Sequence, residues 1–439
     1  MTTQVSPRDT AQSHLDAAQA KLKTLQALNP MLIDVSLREP CFNTPYGHTL
    51  QNKLDLLPMI DAFGVQDKII ATLDYQFEDV LEVEDDFCLY LQKVGYPMRG
   101  CFALTAVGTL TADGYVPDHS ELKLAPYGIP NTMNEIYLLP ASGSPVPDAQ
   151  QQQALLDRIG ASVAWLRANV PGEDGAAPRI YLNVVDLPDA FFAAPAFACR
   201  VVEYVASLPE ISALSFEEAR GTYFPFQIAA VVAATKALLH PDQKLIFHCH
   251  AGNGMDNANV IEGLLAGADG YWGGMDRESS TIGHAPISDL IANLMRVNNP
   301  NMEKLYQVDQ LLPIAQSMHL INTERATPPT WPIQGGDAYR QMLSDFDQVP
   351  TRLMDLPPER IGGKYTFRIA PVGSDEQVII GRVREALGKE ITTDTAYKMI
   401  LIMRDDLRVG VRIHYDDPIQ MAQLLARAQS PLDRSLLRA

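Results

Sequence analysis

Between Met31 and Asn299, eight apolar runs of strand length alternate with helical stretches. The runs are MLIDVSL, KIIATLDY, MRGCFALTAV, EIYLLPA, RIYLNVVDL, ISALSFEE, KLIFHCH and GYWGGM. Most are nearly continuous in apolar residues, as parallel strands covered on both faces require. The stretches between them carry helical periodicity, as in QNKLDLLPMIDAFG, PFQIAAVVAATKALLH and NANVIEGLLAGA. Eight strand–helix repeats predict an α/β chain folded as a (β/α)8 TIM barrel. A doubly wound sheet differs in strand order, which a sequence does not state. The segment TADGYVPDHSELKLAPYGIPNTMN is expected as an extended loop at the barrel mouth.

Residues 1–30 read as an N-terminal amphipathic helix and 31–300 as the barrel. Beyond them the pattern changes, and 301–439 is expected as a smaller, mostly helical appendage. MEKLYQVDQLLPIAQSMHLI is helical, TPPTWPIQGG is a Pro/Gly-rich linker, and SDEQVIIGRVREAL and TDTAYKMILIMRDDL are helices. VGVRIHY is expected as a strand.

The 439 residues carry a formal net charge of −18. That balance argues against nucleic acid and anionic membrane as partners, since both call for a basic footprint. No apolar run reaches the length of a membrane span, and the N-terminus has no signal-peptide centre. The five cysteines are scattered and odd in number, without a CxxC, so a reducing cytoplasm is expected.

Two of the nine histidines flank one cysteine in KLIFHCH. Alternate residues of a strand share a face, so His248 and His250 point one way and Phe247 and Cys249 the other. The pair ends the seventh predicted strand, at the end of the barrel where active sites lie. Two imidazoles on one face suit a divalent metal, although the same pair could be ordinary polar strand-end residues. The first run ends in DVSLREP, bringing Asp34, Arg38 and Glu39 to the same end, and His284 follows the eighth run. Arg38 and Glu39 can both face the mouth only if the backbone turns there, and Pro40 allows that.

Three motifs in correct order carry a resemblance. DVSLREP resembles D-x-T-L-R-D-G, HCHAGNGMDNANVIEGLLAGA resembles H-x-H-N-D-x-G-x-A-x-A-N with its small-residue helix, and GHAPISDLIA stands where G-N-A-x-L would. Together they resemble the DRE-TIM metallolyase superfamily over residues 31–300. That group includes isopropylmalate, homocitrate and citramalate synthases, HMG-CoA lyase, hydroxy-oxo-acid aldolases and biotin-dependent carboxyltransferases. The resemblance implies Glu39, His248, His250 and His284 as metal ligands, with Glu39 replacing an aspartate and His284 an asparagine. It implies Arg38 as the group that stabilises an enolate oxygen. Glu218 is the accompanying catalytic candidate, and His48 is a general acid/base candidate over the mouth. Asp186 and Asn253 fall at substrate-binding positions. Three nitrogens and one carboxylate would favour Mn2+, Zn2+ or Fe2+ over Mg2+.

The implied activity is a Claisen-type condensation of an acyl-CoA, acetyl-CoA among the candidates, with a 2-oxo acid through an enolate. The alternatives are a lyase or aldolase cleaving a hydroxy acid, and a divergent non-condensing metal-binding barrel. PIQGGDAYRQM keeps the frame of the synthases' post-barrel segment but lacks their histidine. The resemblance also implies a homodimer.

Overall fold

The computed structural model describes residues 7–139, 145–341 and 356–430. Eight parallel strands close into a barrel: β1 (Met31–Asp34), β2 (Asp67–Thr72), β3 (Cys101–Ala106), β6 (Asn131–Ile136), β7 (Ile180–Val184), β8 (Ile211–Glu218), β9 (Lys244–Cys249) and β10 (Gly270–Gly273). The order around the ring is β1-β10-β9-β8-β7-β6-β3-β2, and β1 also pairs with β2. The (β/α)8 reading therefore holds. Two short strands, β4 (Thr109–Thr111) and β5 (Gly114–Val116), form an antiparallel hairpin beside the ring.

Helices surround the barrel in chain order. They are α1 (Pro7–Ala27), α2 (Glu39–Asn43), α3 (Leu50–Phe63), α4 (Val83–Val94), α5 (His119–Leu124), α6 (Ala149–Asn169), α7 (Leu187–Ala193), α8 (Pro195–Ala206), α9 (Pro225–Leu238), α10 (Asp256–Leu265), α11 (Ile287–Arg296), α12 (Pro300–Leu305) and α13 (Leu311–Thr323). Local chemistry sets their ends. Thr49 caps α3 through the Asn52 amide, and Gly64 closes that helix in the left-handed region, at φ 102°. Asp148 caps α6 through the amides of Gln150 and Gln151.

Ile33, Ile69, Phe102, Leu104, Met133, Tyr181, Ala213, Ile246 and Trp272 fill the barrel interior. This is a packed core, and a polar layer lies above it at the C-terminal strand ends. At the opposite end Arg179 makes a two-pronged ion pair with Asp67 at 2.7 and 2.9 Å and a further bond to Glu173 at 2.8 Å.

A buried cation organises the turn after β1. Lys53 on α3 is fully enclosed, and its ammonium donates to the carbonyl oxygens of Leu37 and Ile70 while pairing with Glu84 on α4. Asp34 accepts from the Ser36 amide at 2.9 Å and hydroxyl at 3.0 Å, and Ser36 Oγ accepts from the Met275 amide at 2.9 Å. The chain then turns, with the amides of Arg38 and Glu39 both donating to Val35 O. This resolves the facing problem: neither Arg38 nor Glu39 lies in a strand, and both enter the mouth from the turn.

Four expectations are corrected. The fourth strand is Asn131–Ile136, not 135–141, and residues 140 and 141 lie outside the described residues. Its polar residues are masked strand formers because their side chains find partners: Asn131 donates to Cys101 O at 3.1 Å, and Asn134 to Ser162 Oγ at 2.8 Å. The expected loop of 111–134 instead holds part of the β4–β5 hairpin, helix α5 and the start of β6, with Asp118 capping α5. VGVRIHY is no strand; Tyr415 turns inward and bonds Asp406, which also takes two bonds from Arg427. Finally, the chain divides into Met1–Ala326 and Thr327–Ala439, so α12 and α13 belong with the barrel. Asn299 Nδ2 ties them there by donating to Leu25 O and Leu28 O at 2.8 and 2.7 Å. The second unit is helical, with α14 (Glu376–Leu387), α15 (Thr393–Arg408) and α16 (Pro418–Gln429) around a core of Ile379, Val383, Met399, Met403, Met421 and Leu424.

Breaking a buried ion pair strands the surviving charge, so Lys53→Met is expected to cost about 3–5 kcal/mol in urea unfolding. Adding Glu84→Leu should recover a large part of that loss, because the double variant buries no lone carboxylate.

Candidate functional site

Period two along β9 sends Ile246 and His248 toward the barrel axis, while Phe247 faces outward against Gly263 of α10. His248 stacks on Trp272 with ring centroids 4.2 Å apart. Its Nδ1 lies 2.6 Å from Trp272 O, so that nitrogen donates and Nε2 is the bare acceptor. Nε2 is buried and without a hydrogen-bond partner among the described residues. His250 meets His248 edge to face at 4.6 Å, and its Nδ1 lies 3.2 Å from Gly283 O. Again Nε2 is left for the mouth.

Glu39, 2% exposed, completes the group: donor atoms of Glu39, His248 and His250 all lie within 4.8 Å of one another. Two imidazole nitrogens with bare lone pairs and one carboxylate form a donor set that fits a divalent metal. Asn43 Nδ2 steadies the Glu39 carboxylate at 3.2 Å, and Arg38 pairs with its other oxygen. Burial opposes ionisation of Glu39, yet Arg38 and the three imidazoles around it lower its pKa to about 2. Burial, reinforced by His250 and His284, holds His248 well below the ordinary imidazole range. Both shifts keep the group in its metal-binding protonation state.

His284 stands beside the cluster rather than in it. Its ring centroid is 5.3 Å from that of His248, and its backbone forms an antiparallel bridge with His250. It is fully buried, both ring nitrogens lack partners among the described residues, and burial lowers its pKa to about 4. It is not among the three residues whose donor atoms all lie within 4.8 Å of one another.

The other candidates are placed elsewhere. Glu218 faces away from the axis and accepts from the Thr222 amide at 2.8 Å. The reason is strand parity. Ala213, Ser215 and Glu217 share the inner face of β8, and Ser215 Oγ accepts from Trp272 Nε1 at 2.9 Å. Asp186 is committed to the amides of Leu138 and Leu139, at 2.8 and 2.7 Å, and holds the end of β6. Asn253 is exposed and shapes its own turn by accepting from the Met255 amide at 2.9 Å. His48 is 6% exposed and bonds Asn322 Oδ1 at 2.8 Å, outside the group of Glu39, His248 and His250. Asn322 Nδ2 donates in turn to Asp276, which also bonds His319 at 3.0 Å.

The residues missed are Glu135, Asn183 and Glu217. Asn183 Nδ2 donates to Glu135 and to Glu217, each at 2.8 Å. With Arg38, Glu39 and His250 the two glutamates line a cavity of about 140 Å³, and Tyr75 and Tyr137 close its rim. Burial and the neighbouring Glu217 and Asp74 raise the Glu135 carboxyl well above the usual range. Burial raises Glu217 as well. The runs are apolar at both odd and even positions, so the sequence carries no signal for which parity faces the axis.

The loops that form the mouth approach closely. A Cβ at Gly221 would lie 2.0 Å from Gly252 N, and one at Gly252 would lie 2.1 Å from Arg220 O. Gly252 therefore has no room for a side chain, whereas nothing in the structure explains Ala251.

No family model matches the chain, and no curated protein matches it. Solved structures do. Hydroxymethylglutaryl-CoA lyase from Pseudomonas aeruginosa is 13% identical with TM-score 0.49, over 68% of this chain and 95% of that one. HMG-CoA lyase from Brucella melitensis is 16% identical with TM-score 0.48, over 68% and 99%. The carboxyl transferase domain from Rhizobium etli pyruvate carboxylase is 12% identical with TM-score 0.44, over 66% and 47%.

His48 supplies a pH test independent of any ligand. Burial, with the charge of Lys53 adding to it, lowers its pKa from 6.5 to about 4, against the opposing bond to Asn322. The unfolded chain takes up this proton first, so stability is full above pH 6.5 and falls as pH drops toward 4. The ceiling on this contribution is about 3 kcal/mol. His48→Gln is expected to flatten the difference between unfolding free energies measured at pH 7 and pH 4.5.

Proposed function

We propose that the chain is a divergent DRE-TIM metallolyase, a metal-dependent enzyme that makes or breaks a carbon–carbon bond. One observation carries this reading: Glu39, His248 and His250 converge beside buried Arg38 at the C-terminal mouth of a closed barrel. Those three residues would hold the metal, and His284 would back them. The donor set still favours Mn2+, Fe2+ or Zn2+ over Mg2+, though with two nitrogens in the convergent group instead of three.

A divalent metal at these ligands supplies Lewis-acid polarisation of a substrate carbonyl. The chain supplies the rest. Arg38 stays charged because Glu39, Glu135, Glu217 and Asp74 surround it, which overcomes its burial. Its guanidinium faces oxygen atoms on which negative charge develops. Glu135 and Glu217 hold and move protons at their carboxyl oxygens, since both titrate above the usual carboxylate range. Asn183 fixes their spacing. The tyrosines at the rim limit water access.

The finer reading is Claisen-type condensation of an acyl-CoA with a 2-oxo acid. Its support is the sequence of α14 and α15, which resembles the helices that follow synthase barrels. Cleavage of a hydroxy acid is favoured by the missing histidine in PIQGGDAYRQM. Release of free CoA thiol from acetyl-CoA with a panel of 2-oxo acids supports condensation, and pyruvate release from hydroxy-oxo acids supports cleavage. A homodimer accompanies either reading and is tested by light scattering.

His248→Ala and His250→Ala are each expected to weaken metal binding by more than about 100-fold, beyond the range of outer-shell substitutions. Metal analysis of the purified variants checks this; full stoichiometric metal in the double variant would overturn the reading. His284→Asn should retain metal, and competition among Mg2+, Mn2+ and Zn2+ reads whether its imidazole tunes selectivity.

A further inference from the structure

The ring order fixes what faces what. Four steps around the ring from β1 lies β7, so Asn183 stands across the axis from the strand that leads to Arg38 and Glu39. Glu135 on β6 and Glu217 on β8 flank Asn183. A cavity of about 140 Å³ touches Arg38, Glu135 and Glu217. A cavity of about 150 Å³ takes a benzene, so the space suits roughly six or seven heavy atoms.

The two sides have opposite hydrogen-bonding needs. Arg38 is 4% exposed, and its Nε has no partner among the described residues. That side donates and is positive. On the far side both Asn183 N–H groups are used by the glutamates, so that wall of the cavity presents the carboxyl oxygens of Glu135 and Glu217. Even with one proton shared between the glutamates, acceptors outnumber donors there. A second carboxylate would meet repulsion, and a methyl group would leave acceptors unmet, which is the costly case for buried polar groups.

We infer that Glu135 and Glu217, held in place by Asn183 behind them, select the substrate: a three- to four-carbon monocarboxylate whose far end bears a hydrogen-bond donor, a hydroxyl or an ammonium. This rests on the mouth being the substrate site of the proposed enzyme. The carboxylate end lies toward Arg38 and the donor end toward the glutamates.

Four 2-hydroxy acids differ only at their third carbon and test this directly. Lactate ends in a methyl, glycerate in a hydroxymethyl, isoserine in an aminomethyl and tartronate in a carboxylate. Their binding is measured by calorimetry on protein with and without Mn2+. Glycerate or isoserine is expected to bind about tenfold tighter than lactate, with tartronate weakest. Isoserine in first place identifies the ammonium as the recognised donor, and glycerate in first place the hydroxyl. Glu217→Gln and Glu135→Gln keep an acceptor oxygen but lose charge, so each should weaken isoserine more than glycerate and leave lactate unchanged. Circular dichroism confirms that the variants are folded. Lactate equal to both donor ligands, tartronate tightest, or no binding of any of the four would overturn the inference. Failure to bind Mn2+ would instead sink the metallolyase reading, and the ligand order on metal-free protein would still decide this one.

Discussion

Closure of the sheet is the constraint on which everything else depends. β1 hydrogen-bonds to β10 on one side and to β2 on the other, so the first and last strands of the barrel become neighbours. Only then does the turn after β1 stand beside the end of β9, which places Glu39 against His248 and His250. The same closure traps Lys53 between the turn and α4, where its ammonium holds Leu37 O. An open sheet of the same strands would leave Glu39 and the two histidines at opposite edges.

The mouth is electrostatically unusual. One guanidinium faces several carboxyl groups within a buried space, and the protein resolves this in two ways. Glu39 is kept ionised by Arg38 and the imidazoles, while burial raises Glu135 and Glu217 above the usual carboxylate range. Carboxyl groups driven apart in this manner can take different tasks within one site, ligation for one and proton handling for the others. Asn183 makes the division possible by bonding both outer glutamates without adding charge.

One departure from the superfamily motifs has a local cause. The close passage of the Gly221 and Gly252 backbones leaves no room for a side chain at Gly252. His284 stands where the resemblance has an asparagine, bridged by its backbone to His250 and with its ring 5.3 Å from that of His248.

The sequence by itself determined the barrel, because alternating strand and helix periodicity is a local property of each segment. It also determined the pairing of His248 with His250, since residues two apart on a strand share a face whatever surrounds them. Tertiary structure alone decided the rest of the site. Glu217, not Glu218, faces the axis, and only the register against β9 shows which parity is inward. Asp186 looked like a mouth residue by position, yet the amides of Leu138 and Leu139 claim it. The strand of Asn131–Ile136 was obscured because its polar residues are paid for by partners far along the chain, such as Ser162. The place of α12 and α13 was likewise invisible, because Asn299 binds carbonyls of the N-terminal segment. In each case the deciding contact joins residues distant in sequence, and a hydrogen bond between such residues leaves no mark on the local pattern.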